Sequence, residues 1–407
     1  MIRGLPNCFI QRSKSHDSYG WPTPASKLEW YSFKLGQETS RMSFPNLVES
    51  KDKELRVVAI GGGTGLSTLL RGLKRYVATP ERRRGIRIGS APETQKAPAL
   101  SPSLRCVVRE LSAVVTVTDD GGSSGRLRED FKMLPPGDIR NCMVALSEDE
   151  HLLSKLFQFR FEHGDLEGHS FGNLFLAALS RITGDFSQAV QMSSQILAAR
   201  GKIFPSTNTN VRLAAQMEDG SVVRGETNIT ACKRSTIVEL RLEPAMADPL
   251  PETLEAIANA DLITLGPGSL YTSLITNLLV RGIPEALAAS RATKIFVCNL
   301  MTQANESLGL TASQHIEKIM QHAVGVRAPI FDYALINTGA ISAAQLEKYA
   351  REGQEPIEAD LERVRALGVE PVTGNFVHEG DLLRHDYDRL AERVLAVGLE
   401  RLALAPQ

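Results

Sequence analysis

Arg56-Val57-Val58-Ala59-Ile60-Gly61-Gly62-Gly63-Thr64-Gly65-Leu66-Ser67 decides the fold. An apolar run that stops abruptly in glycines reads as a buried parallel strand ending in a tight turn. Beyond the turn, Leu66, Leu69, Leu70, Leu73 and Val77 recur at helical spacing, so an amphipathic helix follows. A second buried strand fits Ala113–Thr118. Further strands fit Leu262–Leu265, Lys294–Asn299 and Tyr333–Asn337, each followed by turn residues and a helical pattern. Strand and helix in alternation predict an α/β chain with a mostly parallel sheet and helices on both faces.

Working outward, Ile203–Glu243 breaks the alternation. Val222-Val223, Ile229 and Ile237–Leu242 suggest antiparallel strands around the turn Asp219-Gly220, a β-rich insertion over residues 203–243. Four prolines and the cluster Arg82, Arg83, Arg84 and Arg87 mark residues 79–105 as an exposed, flexible insertion. Residues 1–54 are aperiodic and read as a poorly ordered N-terminal extension, leaving 55–407 as the folded domain. A terminal helix starts near Asp386, its N-cap, with Leu390, Val394 and Leu395 on one face.

Composition excludes several classes. With 43% hydrophobic and 23% charged residues, the 407-residue chain is too apolar to be disordered. Its formal charge of −1 and 6% aromatic content supply neither the field nor the stacking platform of a nucleic-acid binder. Five scattered cysteines, an odd number without any C-x-x-C pair, indicate reduced thiols in the cytoplasm rather than disulfides or zinc. Met1–Ser50 lacks the long apolar core of a signal peptide, so secretion is not expected. Leu262–Val280 is uncharged over nineteen residues, but its Gly266-Pro267-Gly268 and hydroxyl residues fit a strand, turn and helix better than a membrane span. No membrane insertion is expected.

Six strings carry chemistry. In the first, Gly62, Gly63, Thr64 and Gly65 lead into a helix start, where free N–H groups and the helix dipole favour an anion. Leu66 replaces the third glycine of a dinucleotide fingerprint and no lysine precedes Ser67 or Thr68, so neither NAD nor ATP is specified. In the second, Asp119 and Asp120 follow a buried strand and precede Ser123, Ser124 and Arg126. Adjacent carboxylates repel unless a cation or hydrogen-bond donors intervene; a divalent metal, ribose hydroxyls or Arg126 would each serve. The third string places Asp138, Arg140 and Asn141 at a helix start, Asp138 either as N-cap or facing a ligand. In the fourth, Gly168–Asn173, Ser170 and Asn173 either cap a helix or bind a ligand, and His169 lacks metal partners at ligand spacing. The fifth, Gly266, Gly268, Ser269 and Tyr271, repeats the glycine turn, with Ser269 as cap and Tyr271 close to the ligand. Asn299 ends another strand in the sixth, with amides suited to a base or sugar. No H-E-x-x-H string supports a metalloprotease.

Taken in order, VVAIGGGTGLS (57–67), VTVTDDGGSSGRLR (115–128), LPPGDIRN (134–141), GHSFGN (168–173), LGPGSLY (265–271) and CNLMTQ (298–303) resemble the bacterial gluconeogenesis-factor family, relatives of 2-phospho-L-lactate transferase. The likeness runs from about Arg56 to Arg384-His385-Asp386 and its helix. It implies a Rossmann-like three-layer α/β/α core, a cytoplasmic location and a role in carbon metabolism and cell shape. It also implies a nucleotide-sugar ligand, UDP-N-acetylglucosamine, with Tyr271 and Arg384 matching the family's ligand-contact positions. The transferase branch implies a divalent metal, Mg²⁺, near Asp119 and Asp120.

The leading expectation is a homo-oligomeric, nucleotide-sugar-binding regulator, its phosphates lying across the two glycine turns. The rival is a metal-dependent phospholactate-type transferase acting on a nucleotide-diphosphate donor. Both require several strand tips to gather along one rim.

Overall fold

A computed structural model describes residues 54–78, 108–148, 152–232, 236–304, 306–326 and 329–404. Residues 1–53 of the expected extension and all of the expected 79–105 insertion lie outside the described residues.

Seven strands form the main sheet: β1 (Leu55–Gly61), β2 (Val108–Val115), β3 (Lys202–Pro205), β7 (Leu262–Leu265), β8 (Thr293–Val297), β9 (Tyr333–Asn337) and β10 (Glu370–Gly374). Between them in sequence, β4 (Arg212–Met217), β5 (Val222–Arg224) and β6 (Ile237–Glu243) form a separate antiparallel sheet in the order β5-β4-β6. The main sheet runs β10-β9-β8-β7-β1-β2-β3, and every neighbouring pair is parallel. Helices cover both faces, so the central strands are apolar throughout: all of Val57–Ile60 and Leu262–Leu265 is buried. The architecture is Rossmann-like α/β/α with smaller β-sheets beside it.

The order of the strands positions the site. From β1 the chain steps outward to β2 and β3, then returns to the other side of β1 and steps outward again through β7, β8, β9 and β10. The direction reverses between β1 and β7. In open α/β sheets ligands bind outside the carboxyl ends of the strands at such a switch point, beside the loops that leave the two strand tips. Those loops are the two glycine turns.

Some boundaries differ from the sequence reading. Ile203–Pro205 belongs to edge strand β3 of the main sheet, not to the β-rich insertion, because Ile203, Phe204 and Pro205 are all buried beside β2. The antiparallel strands begin only at Arg212, and a short helix, Glu226–Ala231, interrupts them. Strand β8 stops at Val297, freeing Cys298 and Asn299 for the rim.

The Gly63–Leu73 helix buries Leu66, Leu69, Leu70 and Leu73 completely, worth roughly 1.5–3 kcal/mol for each side chain. Against it lies the terminal helix, Tyr387–Leu404. Asp386 caps that helix, its Oδ1 accepting from the N–H groups of Asp388 at 3.1 Å and Arg389 at 3.0 Å. Among the described residues no helix is long and apolar enough to cross a membrane, and Cys142, Cys232 and Cys298 are free thiols.

Candidate functional site at the switch point

The two glycine turns touch. A β-carbon on Gly65 would lie 2.9 Å from the Gly268 nitrogen and closer still to the Pro267 carbonyl, so only glycine permits the approach. Gly63 has φ +61°, the left-handed conformation that lets the chain turn from β1 straight into its helix. Asn299, at the tip of β8, binds the second turn from both sides. Its Oδ1 accepts from Gly268 N–H at 3.1 Å and its Nδ2 donates to Gly268 O at 2.7 Å. Ser269 stands where a cap would, but its hydroxyl makes no cap bond and instead accepts from Gln303 Nε2 at 2.9 Å. Thr64 is exposed; its carbonyl accepts from the hydroxyls of Ser67 and Thr68, both at 2.9 Å.

Gly65, Gly268, Ser269, Asn299 and Arg384 line one pocket of about 210 Å³. Arg384 lies on β12 (Leu383–His385), which pairs with β11 (Val377–Glu379) as a small hairpin. Next to it, His385 Nε2 donates to Cys298 O at 3.1 Å. Burial pushes the His385 pKa down to about 4, so the imidazole is neutral at pH 7 and ties the hairpin to the tip of β8. Arg384 is exposed and forms no ion pair or hydrogen bond among the described residues. A free guanidinium above two glycine turns suits a phosphate.

On the other side of Gly62 lies a group of carboxyls. Asp119 Oδ1 accepts from Gly121 N–H at 2.9 Å, and its Oδ2 lies 2.7 Å from where a β-carbon on Gly137 would sit. Asp120 turns away to the insertion, where its Oδ1 accepts from Thr227 N–H at 2.9 Å and from the Thr227 hydroxyl at 2.7 Å. The adjacent pair therefore diverges. Among the described residues no group of three or more His, Cys, Asp or Glu side chains could hold a metal ion. The arrangement does not fit Mg²⁺ held between Asp119 and Asp120.

Asp138 faces the cleft. Pro136 holds the N-cap position of the Gly137–Leu146 helix, so Asp138 is not its cap. The Asp138 carboxyl accepts from Gly63 N–H and lies 2.8 Å from a would-be β-carbon on Gly62. Burial, and then the charge of Asp119, push its pKa up to about 7. Two further acids were invisible in the motifs. Glu226 accepts from the Thr118 hydroxyl at 3.3 Å, and burial followed by Asp138 and Asp119 holds its pKa well up. Burial likewise raises Glu306 to about 7, although it accepts from the N–H groups of Tyr271 and Thr272. Neither lone glutamate sits in a string that marks it.

Beyond the acids, Ser123 Oγ lies 3.0 Å from His169 Nδ1, both buried, and Ser124 packs against Gly137. Arg140 Nη2 donates to Asn141 Oδ1 at 2.7 Å. Ser170 caps its helix by accepting from Asn173 N–H at 3.2 Å, while Asn173 Oδ1 is buried without a partner. Arg126 Nη2 donates to Glu167 O at 2.7 Å.

Tyr271 does not stand beside the pocket as expected. It is 2% exposed, its ring edge-on to His322 at 6.1 Å and its hydroxyl 3.5 Å from Ile237 O. The π-helical turn Leu270–Ile275 is buried on all sides, which draws the aromatic ring inward.

Comparison with known proteins places the chain in a family. The model of the 2-phospho-L-lactate transferase CofD family matches residues 57–377. A gluconeogenesis factor from Halalkalibacterium halodurans is 45% identical over 345 residues, covering 84% of this chain and 96% of that protein. Its counterpart from Bacillus subtilis is 43% identical over 338 residues, covering 83% and 96%. A crystal structure of a UPF0052 family member from Bacillus halodurans superposes with a TM-score of 0.73 at 45% identity, covering 84% of this chain and all of that one. The chain belongs to the CofD/gluconeogenesis-factor family.

Proposed function

We propose that this protein is a regulator that binds a nucleotide sugar, UDP-N-acetylglucosamine, at the β1/β7 switch point, and acts in carbon metabolism and cell shape. The observation that carries the reading is the contact of the two glycine turns beneath an unpaired Arg384. Backbone N–H groups and one guanidinium around a crevice are what a diphosphate needs, and they require no chemistry of the ligand. The relatives named gluconeogenesis factor support the carbon-metabolism part of the reading. The transferase reading, in contrast, rests on a cation shared by Asp119 and Asp120, whose carboxylates point apart.

Calorimetric titration with UDP-N-acetylglucosamine tests the proposal. Saturable binding that Arg384→Ala weakens by about tenfold or more, one charge-assisted contact's worth, is the expected result. Absence of heat across the millimolar range would overturn it. Tyr271→Ala is the poorer probe, since removing a buried aromatic side chain costs ~3–5 kcal/mol of stability by itself.

A further inference from the structure

We infer that Arg126, Arg140 and Arg160 form a second site, for a small oxyanion carrying at least two negative charges, apart from the pocket beside Arg384. Two guanidinium groups are anchored to consecutive carbonyls of one loop: Arg126 Nη2 donates to Glu167 O at 2.7 Å and Arg160 Nη1 to Gly168 O. They arrive from different elements, Arg126 from the Gly122–Phe131 helix and Arg160 from the turn after the Leu152–Gln158 helix. The third, Arg140, packs on the helix that follows that loop, Phe171–Thr183. A β-carbon on Gly172 would lie 2.9 Å from its Cγ and Cδ.

None of the three forms an ion pair with a described carboxylate, although Arg56, Arg281 and Arg351 all do. Arg140 spends one Nη on the neutral Asn141 amide, and its Nε is buried with no partner. Like charges gathered on backbone carbonyls repel one another, and an arginine carries five donors, most of them unused here. Arg126 and Arg160 are exposed, so a ligand can reach them.

The neighbouring acids set the ligand's reach. Asp119 and Asp138 act electrostatically on Arg140, so an anion extending past Arg140 would meet two carboxyls. The occupant is therefore compact, a phosphoryl group or a small dicarboxylate, matching the forked geometry of paired guanidiniums. This inference goes beyond the nucleotide-sugar reading and does not depend on it.

The full chain is titrated calorimetrically with inorganic phosphate and, separately, with malonate. The test variant is Arg126→Gln combined with Arg160→Gln, which keeps an amide donor for each carbonyl anchor while removing both charges. Saturable uptake of either anion is expected, phosphate alone indicating a phosphoryl ligand and malonate alone a dicarboxylate. In a background of Arg384→Ala, which removes uptake at the first pocket, the double variant should weaken the remaining uptake by ~tenfold or more. UDP-N-acetylglucosamine binding is followed in parallel, so its failure would sink the nucleotide-sugar reading without touching this one. No saturable uptake of either anion, or uptake lost in Arg384→Ala but kept in the double variant, would overturn the second site.

Discussion

Asn299 grips Gly268 at both edges of one residue, accepting from its N–H at 3.1 Å and donating to its carbonyl at 2.7 Å. The tip of β8 thereby fixes the turn that leaves β7. Asn299→Ala removes both bonds, each worth about 0.5–1.5 kcal/mol net. Asn299→Asp keeps the acceptor and loses the donor. Thermal unfolding should rank wild type above Asp above Ala, whereas UDP-N-acetylglucosamine affinity should fall in both variants and furthest in Asp, whose negative charge stands beside the diphosphate. Equal affinity in all three would mean that the turn needs no fixing.

Gly65 offers a test in which two physical effects have opposite signs. Inside a helix, alanine is favoured over glycine by about 0.8–1.0 kcal/mol, so propensity alone predicts that Gly65→Ala stabilises the protein. The Gly268 nitrogen and Pro267 carbonyl leave no room for the methyl group, and both are backbone atoms that cannot swing aside. The turns must separate. Gly65→Ala should therefore lower the melting temperature and abolish nucleotide-sugar binding, measured by thermal unfolding and calorimetry.

Much of the fold was legible because both-face burial writes itself as apolar runs: Leu262–Leu265 and Tyr333–Asn337 are strands at the predicted residues. Edge strand β3 was misread because Lys202–Pro205 is short and adjoins a segment of antiparallel character. The glycine turns also stood out, since close approach of two backbones needs glycine, whereas Arg384 was marked only by the family resemblance. Three-dimensional partners did not. Nothing in the string Asp119-Asp120 says that one carboxylate joins Asp138 while the other turns to Thr227. Glu226 and Glu306 reach the cleft from the insertion and from the loop beyond β8, distances along the chain that no local pattern records. Arg160 was missed for the same reason, and the inward turn of Tyr271 depends on packing.

Asp138 makes the cleft costly at neutral pH. Its folded pKa of about 7 lies above the ordinary carboxylate value, so the folded state binds the proton more tightly than the unfolded chain. Its contribution to stability is fully present below about pH 4 and is lost as pH rises through 7. Asp138→Asn keeps an acceptor for Gly63 N–H and removes the titration. The variant should melt a few degrees higher than wild type at pH 8 and equal to it near pH 4. A wild-type advantage at pH 8 would mean that an unseen cation or donor neutralises the carboxylate.

His385 carries the opposite sign. Burial holds its pKa at about 4, below the ordinary imidazole value, so the folded state favours the neutral ring. The stability it brings is fully present above about pH 6.5 and is lost as pH falls through 4. Since the ring ties β12 to Cys298, its protonation should loosen the hairpin that presents Arg384. His385→Gln retains an N–H donor without a charge to bury. Between pH 6.5 and 4 the wild type should lose melting temperature and nucleotide-sugar affinity together, and His385→Gln should lose less of both. If affinity in the two proteins fell in parallel with pH, the hairpin's hold on Arg384 would not depend on His385 at all.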